Sequence, residues 1–224
     1  MLQERLMIFM RFPEAGKTKT RLIPRLGTEG AALLQRQMSE YTIAQVERLD
    51  RAVRIEIHYA GGTRQQMQDW LGNDRVYREQ NEGDLGERLN AAFVSAFGDR
   101  VERAIAIGID CPDLNAELLN EAFEQLKLND LVLGKAADGG YYLIGLRCST
   151  DLQKSPQSQA KDTICNLEFG QLFEGIAWGN ERVLAQTVAI AKKLGYAIAY
   201  LPLLHDVDYP EDLPIWENRK IYPD

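Results

Sequence analysis

The residues with the clearest chemical potential lie where apolar runs of the sequence end. The run from Ala104 to Ile109 is followed at once by Asp110, and a second acid, Asp113, comes shortly after it. Carboxylate oxygens are the ligands that Mg²⁺ and Mn²⁺ prefer, and these ions bridge to the phosphates of a substrate. Asp110 is therefore the natural metal ligand. Asp113 could be a second ligand or the N-cap of the following helix, and its spacing slightly favours the cap.

A basic loop follows the first apolar run. Its sequence is RFPEAGKTKTRL, and within eleven residues it carries four cations, Arg11, Lys17, Lys19 and Arg21. Gly16 lets backbone N–H groups approach an anion, and guanidinium groups bind phosphate oxygens in pairs. The alternative is a solvated basic turn, because runs of charge usually lie at the surface. The loop does not have the spacing of a Walker motif. Because of its glycine and its cations, we expect the loop to bind a diphosphate.

Two glycine-containing turns carry the next acids. In NEGDLGERL, Asp84 and Glu87 have the spacing of a capping box, while the flanking glycines would let a ligand approach Asp84, and both roles remain open. In KAADGGYYLIGL, Asp138 precedes Gly139, Gly140 and then a strand. This turn either lies against a ligand or closes a β-hairpin, because Asp-Gly is a strong hairpin signal, and the spacing does not decide between the two.

The segment LLHDVDYPEDL follows the last predicted strand. One of its residues His205, Asp206 and Asp208 could complete a metal site begun by Asp110. Taken alone, each of the three is more often a surface residue or a cap. Cys111 is a conceivable nucleophile, but neither histidine lies near it in the sequence, and a small buried thiol is the more common case.

The elements that position these residues alternate between strands and helices. Short apolar runs bounded by turn formers predict strands at Leu6–Phe12, Val53–Tyr59, Ala104–Ile109, Leu131–Leu133 and Ala197–Leu201. Apolar residues recur between them at helical spacing, for example Leu85, Leu89 and Phe93. The alternation predicts an α/β domain with a largely parallel sheet, which binds ligands at the carboxyl ends of its strands. The polar stretch from Ser149 to Thr163 is predicted to be a flexible excursion or lid.

Composition restricts the class of protein. The chain has 224 residues, of which 45% are hydrophobic and 26% charged, as expected of a single globular domain spanning residues 1–224. A net charge of −7 disfavours nucleic acid and anionic membranes as partners. No apolar run has the length of a membrane span, and the N-terminus indicates a first strand and not a signal peptide. The three cysteines are odd in number and widely spaced, which indicates reduced thiols in a cytoplasmic protein.

Six segments, in order along the chain, resemble a known bacterial family: RFPEAGKTKTRL, GDLGERL, GIDCPDL, DGGYYLIGL, FEGIAWG and DVDYPEDL. That family was once grouped as a domain of unknown function and is now described as candidate GT-A glycosyltransferases, associated with arsenosugar or selenodomain gene clusters. The resemblance runs from about Leu6 to about Leu213. Two positions depart from the family pattern, with Ala15 in place of a second proline and Tyr209 in place of a common threonine. More distantly, the chain is similar to sugar-nucleotide and phospholactate nucleotidyltransferases.

The resemblance implies a fold and a set of residue roles. The fold would be a GT-A-like, nucleotide-diphospho-sugar transferase domain, a three-layer sandwich with a mostly parallel central sheet. Asp110 and Asp208 would bind Mg²⁺ or Mn²⁺, and Asp138 would face the sugar or acceptor. Contacts to the nucleotide would fall on Arg11, Gly16, Lys17 and Arg21, with Asp84 added from its own turn, and contacts to the acceptor or sugar on Gly139, Gly140 and Trp178.

These expectations favour transfer of a glycosyl group from a nucleoside diphosphate sugar to a small hydroxyl-bearing acceptor, with Asp138 as the general base. The segments on the acceptor side are rich in glycine and aromatic residues, which suits a neutral acceptor. The alternatives are nucleotidyl transfer to a phosphorylated small molecule and a catalytically silent nucleotide-binding module.

Overall fold

The computed structural model describes residues 3–148 and 169–219. The predicted lid from Ser149 to Thr163 lies outside the described residues and stays a prediction. The described strands are β1 (Glu4–Arg11), β2 (Arg54–Ala60), β3 (Val76–Glu79), β4 (Arg103–Ile107), β5 (Leu131–Ala136), β6 (Tyr141–Arg147) and β7 (Ile198–Leu204). The described α-helices are α1 (Ile23–Glu47), α2 (Arg64–Leu71), α3 (Leu85–Gly98), α4 (Ala116–Gln125), α5 (Val183–Lys193) and α6 (Leu213–Glu217). Short 3₁₀ helices lie at Thr20–Leu22, Phe169–Phe173 and Pro210–Asp212.

The seven described strands form one sheet in the order β3-β2-β1-β4-β6-β5-β7. Neighbours run parallel, except that β6 is antiparallel to both β4 and β5. The prediction of an α/β fold with a mostly parallel central sheet is therefore confirmed. The antiparallel direction of β6 is an addition that the sequence analysis did not assign.

Helices cover both faces of the sheet because side chains alternate along the central strands. On β1, Leu6 and Ile8 belong to a core cluster shared with α1 and α4, whereas Met7 belongs to the cluster under α3 and α5. All three side chains are fully buried. A strand with apolar residues on both faces needs a helical layer on each side, which gives the three layers predicted from the sequence.

One buried group of charges lies within the sheet, near the start of β1. Arg5 and Glu56 are each 1% exposed, and Arg5 Nε lies 3.6 Å from Glu56 Oε1 while Arg5 donates to Asp99 at 2.8 Å. Burial alone would raise the pKa of Glu56, but a hydrogen bond with His58 and the charges of Arg5 and Arg78 outweigh it, so its pKa lies below the ordinary value. His58 therefore has a structural partner, as its position inside a strand suggests.

The cysteines differ from the expectation of three reduced thiols. Cys111 is free and buried, but Cys148 is disulfide-bonded. None of the helices in the described ranges combines the length and apolar character that crossing a membrane requires.

Candidate active site

A cavity of about 670 Å³ opens where β1 and β4 end. Its charged lining residues are Arg11, Lys17, Lys19, Arg21, Asp110 and Asp208. Most of its other described lining residues are apolar or aromatic, among them Phe9, Leu85, Leu89, Tyr141 and Ile144. The volume is within the range of pockets for small molecules and cofactors.

The two predicted metal ligands meet at the mouth of this cavity, although they come from distant parts of the sheet. Asp110 follows β4, and Asp208 follows β7, with β6 and β5 lying between those strands. The chain after β7 returns to β4, where the N–H of Val207 donates to the carbonyl of Asp110 at 2.9 Å. This backbone bond fixes the approach of the two carboxylates.

Lys19 lies between the two carboxylates. Its Nζ is 2.5 Å from Asp110 Oδ1, 3.0 Å from Asp208 Oδ1 and 2.6 Å from the carbonyl oxygen of Val207. The side chain is 5% exposed. Burial would lower the pKa of the ammonium group, but the charges of Asp110 and Asp208 outweigh it, so the pKa of Lys19 lies above its ordinary value. The backbone of Lys19 is left-handed, with φ 46° and ψ 44°, a conformation that is uncommon outside glycine and often marks a functional site.

The other cations of the basic loop are arranged around the ion cluster formed by Lys19, Asp110 and Asp208. Arg21 donates to Asp208 Oδ2 at 3.1 Å, and its guanidinium carbon lies 5.0 Å from the ring centre of Tyr209. Tyr209 thus gives Arg21 an aromatic face. Lys17 is exposed and pairs with Glu14 at 2.7 Å. Arg11, Lys17 and Arg21 all line the cavity, and their contacts with a nucleotide stay predictions.

Gly16 and Asp84 hold local backbone structure. Gly16 has φ 77° and so allows the turn of the basic loop. Asp84 forms a complete capping box at the start of α3: its side chain accepts from the N–H of Glu87 at 2.9 Å, and the Glu87 carboxylate accepts from the N–H of Asp84 at 2.8 Å. The capping role is confirmed. Neither residue is among the described residues that line the cavity, so their nucleotide contacts stay predictions.

The helix after Asp110 has a different cap from the one favoured above. The N-cap of α4 is Asn115, whose side chain accepts from the N–H of Leu118 at 3.0 Å. Asp113 is exposed and precedes the cap. The preference for Asp113 as the cap is therefore wrong, because Asn115 is the residue placed to reach the free N–H groups of the first turn.

The turn of Asp138, Gly139 and Gly140 closes the hairpin between β5 and β6. Asp138 Oδ1 accepts from the N–H of Gly140 at 2.8 Å, and the carbonyl of Gly139 accepts from the N–H of Leu184 at 3.0 Å. A Cβ on Gly139 would collide with the backbone of Glu181, so glycine is needed for this packing. The hairpin alternative is the one observed, and none of the three turn residues is among the described cavity-lining residues.

An acidic neighbourhood connects this turn to the ion cluster. Burial raises the pKa of Asp206, and the charges of Asp138, Asp208 and Asp212 raise it further. Burial also raises the pKa of the Cys111 thiol well above its usual range, with Asp110, Asp206 and Asp138 adding to the effect. The thiol is thus held protonated, which agrees with a buried structural cysteine and not with a nucleophile.

Trp178 lies behind the cavity wall. Its ring meets Tyr141, a lining residue, edge to face at 6.4 Å between centres. It also covers Gly86 of α3, where a Cβ would come within 2.6 Å of the indole. Trp178 is therefore placed to position Tyr141 and α3, and its direct contact with a sugar or acceptor stays a prediction.

Three residues at this site were not assigned a role from the sequence. Lys19 was recognised only as one of four cations in the loop. Tyr141 follows the Asp138 turn and was given no role beyond its strand. Gln80 joins the ends of two strands by donating to the carbonyls of Met10 and His58, at 3.2 and 2.7 Å, and no sequence signal points to it.

The donor set around Lys19 fits a divalent cation that also binds substrate phosphates. Among the described residues there is no group of three or more acidic, histidine or cysteine side chains that could hold a metal. However, Mg²⁺ is commonly held by one or two carboxylates, with phosphates and water completing its ligands. Asp110 and Asp208 supply two carboxylates that converge on one cationic atom. These residues therefore fit Mg²⁺ or Mn²⁺, with water or a phosphate completing the ligands of the ion.

Comparison with known proteins places the chain in a family. The family described as "Uncharacterized protein conserved in bacteria (DUF2064)" matches residues 42–180. A candidate nucleotide-diphospho-sugar transferase from Desulfovibrio desulfuricans G20 has 32% sequence identity and a TM-score of 0.84, with 97% of this chain and 87% of that one covered. No curated protein matches the chain.

Two more distant structures share the fold alone. A 4-diphosphocytidyl-2C-methyl-D-erythritol synthase from Anaerococcus prevotii DSM 20548 is 11% identical, with a TM-score of 0.59 and coverage of 95% of this chain and 93% of that one. A manganese complex of Rv0371c from Mycobacterium tuberculosis H37Rv is 14% identical, with a TM-score of 0.52 and coverage of 96% and 99%. From its sequence and its structure together, the chain belongs to the bacterial DUF2064 family and has the nucleotide-diphospho-sugar transferase fold.

Proposed function

We propose that the protein is a metal-dependent glycosyltransferase that uses a nucleoside diphosphate sugar and a small hydroxyl-bearing acceptor. One observation carries this proposal: the cations of the basic loop and the carboxylates of Asp110 and Asp208 meet at the edge of a cavity whose remaining wall is mostly apolar and aromatic residues. A diphosphate needs the cations, and a sugar ring or neutral acceptor suits the apolar wall.

The basic loop would hold the diphosphate. Arg21 presents a fork of N–H groups suited to two phosphate oxygens, and Lys17 adds a second, exposed positive charge. When bound to Asp110 and Asp208, Mg²⁺ or Mn²⁺ would offset the charge that develops on the leaving nucleoside diphosphate. The side chains of this chain would orient the diphosphate and stabilise its charge before the bond to the sugar breaks.

The acceptor would enter beside Tyr141. Tyr141 and Leu85 give that part of the cavity an aromatic and an aliphatic surface. Asp138 is proposed as the general base; its exposed carboxylate stands at the tip of the β5–β6 hairpin, outside the described cavity lining, so the acceptor hydroxyl would have to extend out of the cavity to reach it. Replacing it should then slow transfer about 10²- to 10⁴-fold without weakening nucleotide binding. If Asp138→Asn transfers at the parental rate, the base is another group.

Nucleotidyl transfer to a phosphorylated acceptor is the second candidate. It is favoured by the fold relative named as a diphosphocytidyl-methylerythritol synthase, and by the number of cations on the loop, which could also hold a triphosphate. Fold likeness does not fix the reaction. The two reactions differ in their products, because one releases a nucleoside diphosphate and the other releases pyrophosphate.

The products decide between these candidates. With Mn²⁺ and a panel of nucleotide sugars, we expect slow hydrolysis of at least one donor to nucleoside diphosphate and free sugar, with water in place of the acceptor. Asp110→Asn should abolish this hydrolysis, whereas Asp113→Asn, an exposed acid of the same segment, should retain it. Pyrophosphate released from a nucleoside triphosphate only with a phosphorylated acceptor would establish the second candidate. Metal-dependent nucleotide binding in thermal-shift assays without turnover of any donor would indicate a silent binding module.

A further inference from the structure

The atoms around the Lys19 ammonium form an oxygen-lined cation site. Three oxygens lie within 3.0 Å of Nζ: Asp110 Oδ1, Asp208 Oδ1 and the carbonyl oxygen of Val207. The Val207 carbonyl is held in place because the N–H of the same residue donates to the Asp110 carbonyl. Carboxylate and backbone carbonyl oxygens are also the ligands of hard divalent cations. A single point in the protein thus suits either an ammonium group or a divalent ion, but not both.

We propose that Lys19 is a built-in cation that competes with the divalent metal for this site, so that the metal binds only when the Lys19 side chain leaves it. This inference rests on the proposed function for the identity of the metal, and it assigns Lys19 as a positioning residue. In the metal-free protein Lys19 prevents the two carboxylates from repelling each other. When the metal binds, the ammonium moves away and the Val207 carbonyl becomes available as a third oxygen ligand.

The surrounding structure allows this exchange. Lys19 is in the left-handed conformation, and no side-chain cap supports the 3₁₀ helix that begins at Thr20. A strained backbone persists where neighbouring contacts hold it, and the ion pairs of Lys19 are among the contacts here, together with the hydrogen bond from the N–H of Leu22 to the Lys19 carbonyl at 2.9 Å. Gly16, also at positive φ, provides freedom earlier in the loop. Loss of the ion pairs therefore favours rearrangement of the loop and not of the sheet.

The test compares Mn²⁺ binding by the unaltered protein and by Lys19→Met in the absence of nucleotide. Binding is measured from the electron paramagnetic resonance signal of free Mn²⁺. Removing the competing charge should tighten Mn²⁺ binding by more than about tenfold, since two unit charges so close interact strongly even when partly screened. Lys17→Met is the matched control, because it removes the same charge from the same loop but at a side chain that is 66% exposed. Its effect should stay below about threefold. Equal or weaker Mn²⁺ binding by Lys19→Met, or no binding by either protein, would overturn the proposal.

A second measurement uses the unaltered protein and does not depend on the folding of a variant. Lys19 should resist an amine-acylating reagent without metal and become reactive at Mn²⁺ concentrations that saturate the protein, while Lys17 reacts in both conditions and serves as the reference. Continued protection of Lys19 at saturation would contradict displacement. If either test fails while the protein still hydrolyses a donor, this inference is wrong and the glycosyltransferase proposal stands. If the Mn²⁺ results are as expected but no donor is turned over, the glycosyltransferase proposal is wrong and this inference stands.

Discussion

Replacing either carboxylate of the ion cluster should destabilise the metal-free protein. Two acids brought together at a strand end would repel each other if nothing lay between them, and their removal would then be neutral or favourable. Lys19 reverses that expectation, because its ammonium is 5% exposed and its charge is balanced by Asp110 and Asp208. Asp110→Asn or Asp208→Asn would leave a buried positive charge with one carboxylate.

The size of the effect follows from the exposure of the partners. Breaking a fully buried ion pair costs about 3–5 kcal/mol, and breaking an exposed one less than about 1 kcal/mol. Asp110 is 46% exposed and Asp208 30% exposed, and in each variant Lys19 keeps the other carboxylate and the Val207 carbonyl. We therefore expect a loss of about 1–2 kcal/mol for each variant, above the limit for an exposed pair and below that for a buried one. In a chain of this size such a loss lowers Tm by about 3–6 °C.

The assay is thermal and urea unfolding at pH 7 with a metal chelator present. Glu14→Gln is the control, because it breaks an ion pair of 2.7 Å in the same loop between side chains that are 66% and 44% exposed. That variant should change the free energy of unfolding by less than about 0.5 kcal/mol. A Tm equal to or above that of the parent in both aspartate variants would show that Lys19 is not held by these carboxylates.

Three further results are expected. In calorimetric titrations, Lys17→Ala combined with Arg21→Ala should weaken binding of nucleoside diphosphates by more than about tenfold and leave binding of the bare nucleoside nearly unchanged. The reason is that these cations are assigned to the phosphates. Equal weakening of both ligands would show that the loop does not bind the diphosphate. Gly86→Ala should lower the free energy of unfolding by about 1–3 kcal/mol in urea, since a Cβ there would lie 2.6 Å from the indole that covers it. Gly98→Ala has open space around its Cβ and should leave the free energy of unfolding unchanged. Glu56→Gln should cost about 3 kcal/mol at pH 7. The pKa of Glu56 in the folded protein lies below its ordinary value of 4.5, so the stability that its charge contributes is complete above pH 4.5 and is lost as the pH falls through the lower folded pKa. The difference in free energy of unfolding between parent and variant should therefore narrow below pH 4.5. A difference that is constant with pH would contradict the assigned shift.

The strands were predictable wherever a run of apolar residues stands between turn formers. β1 and β4 are of this kind, and both are found close to their predicted bounds. The direction of β6 was harder, because the Asp-Gly signal at Asp138 is equally compatible with a hairpin and with a ligand-facing turn. Only the pairing of β6 with β4 and β5 decides it.

The sequence was enough to predict which acids lie at the site, but not which lysine lies between them. Asp110 and Asp208 could be expected to approach each other, since both follow strands that feed one edge of the sheet. Lys17 and Lys19 have the same chemistry and lie two positions apart in one loop, so sequence gives no basis for separating them. The left-handed backbone at Lys19 turns one inward, and the other remains 66% exposed.

The return of the chain from β7 to Asp110 has a consequence for the order in which the protein is completed. Lys19 and Asp208 are 189 residues apart, so the basic loop and the first carboxylate leave the ribosome long before the second. A nascent chain that ends just after β7 already contains all seven described strands, yet it lacks Val207 and Asp208. If Asp110 and Asp208 hold a metal-bound nucleotide as proposed, a chain that ends before Val207 would gain no stability from that ligand, whereas a chain that includes Asp208 would.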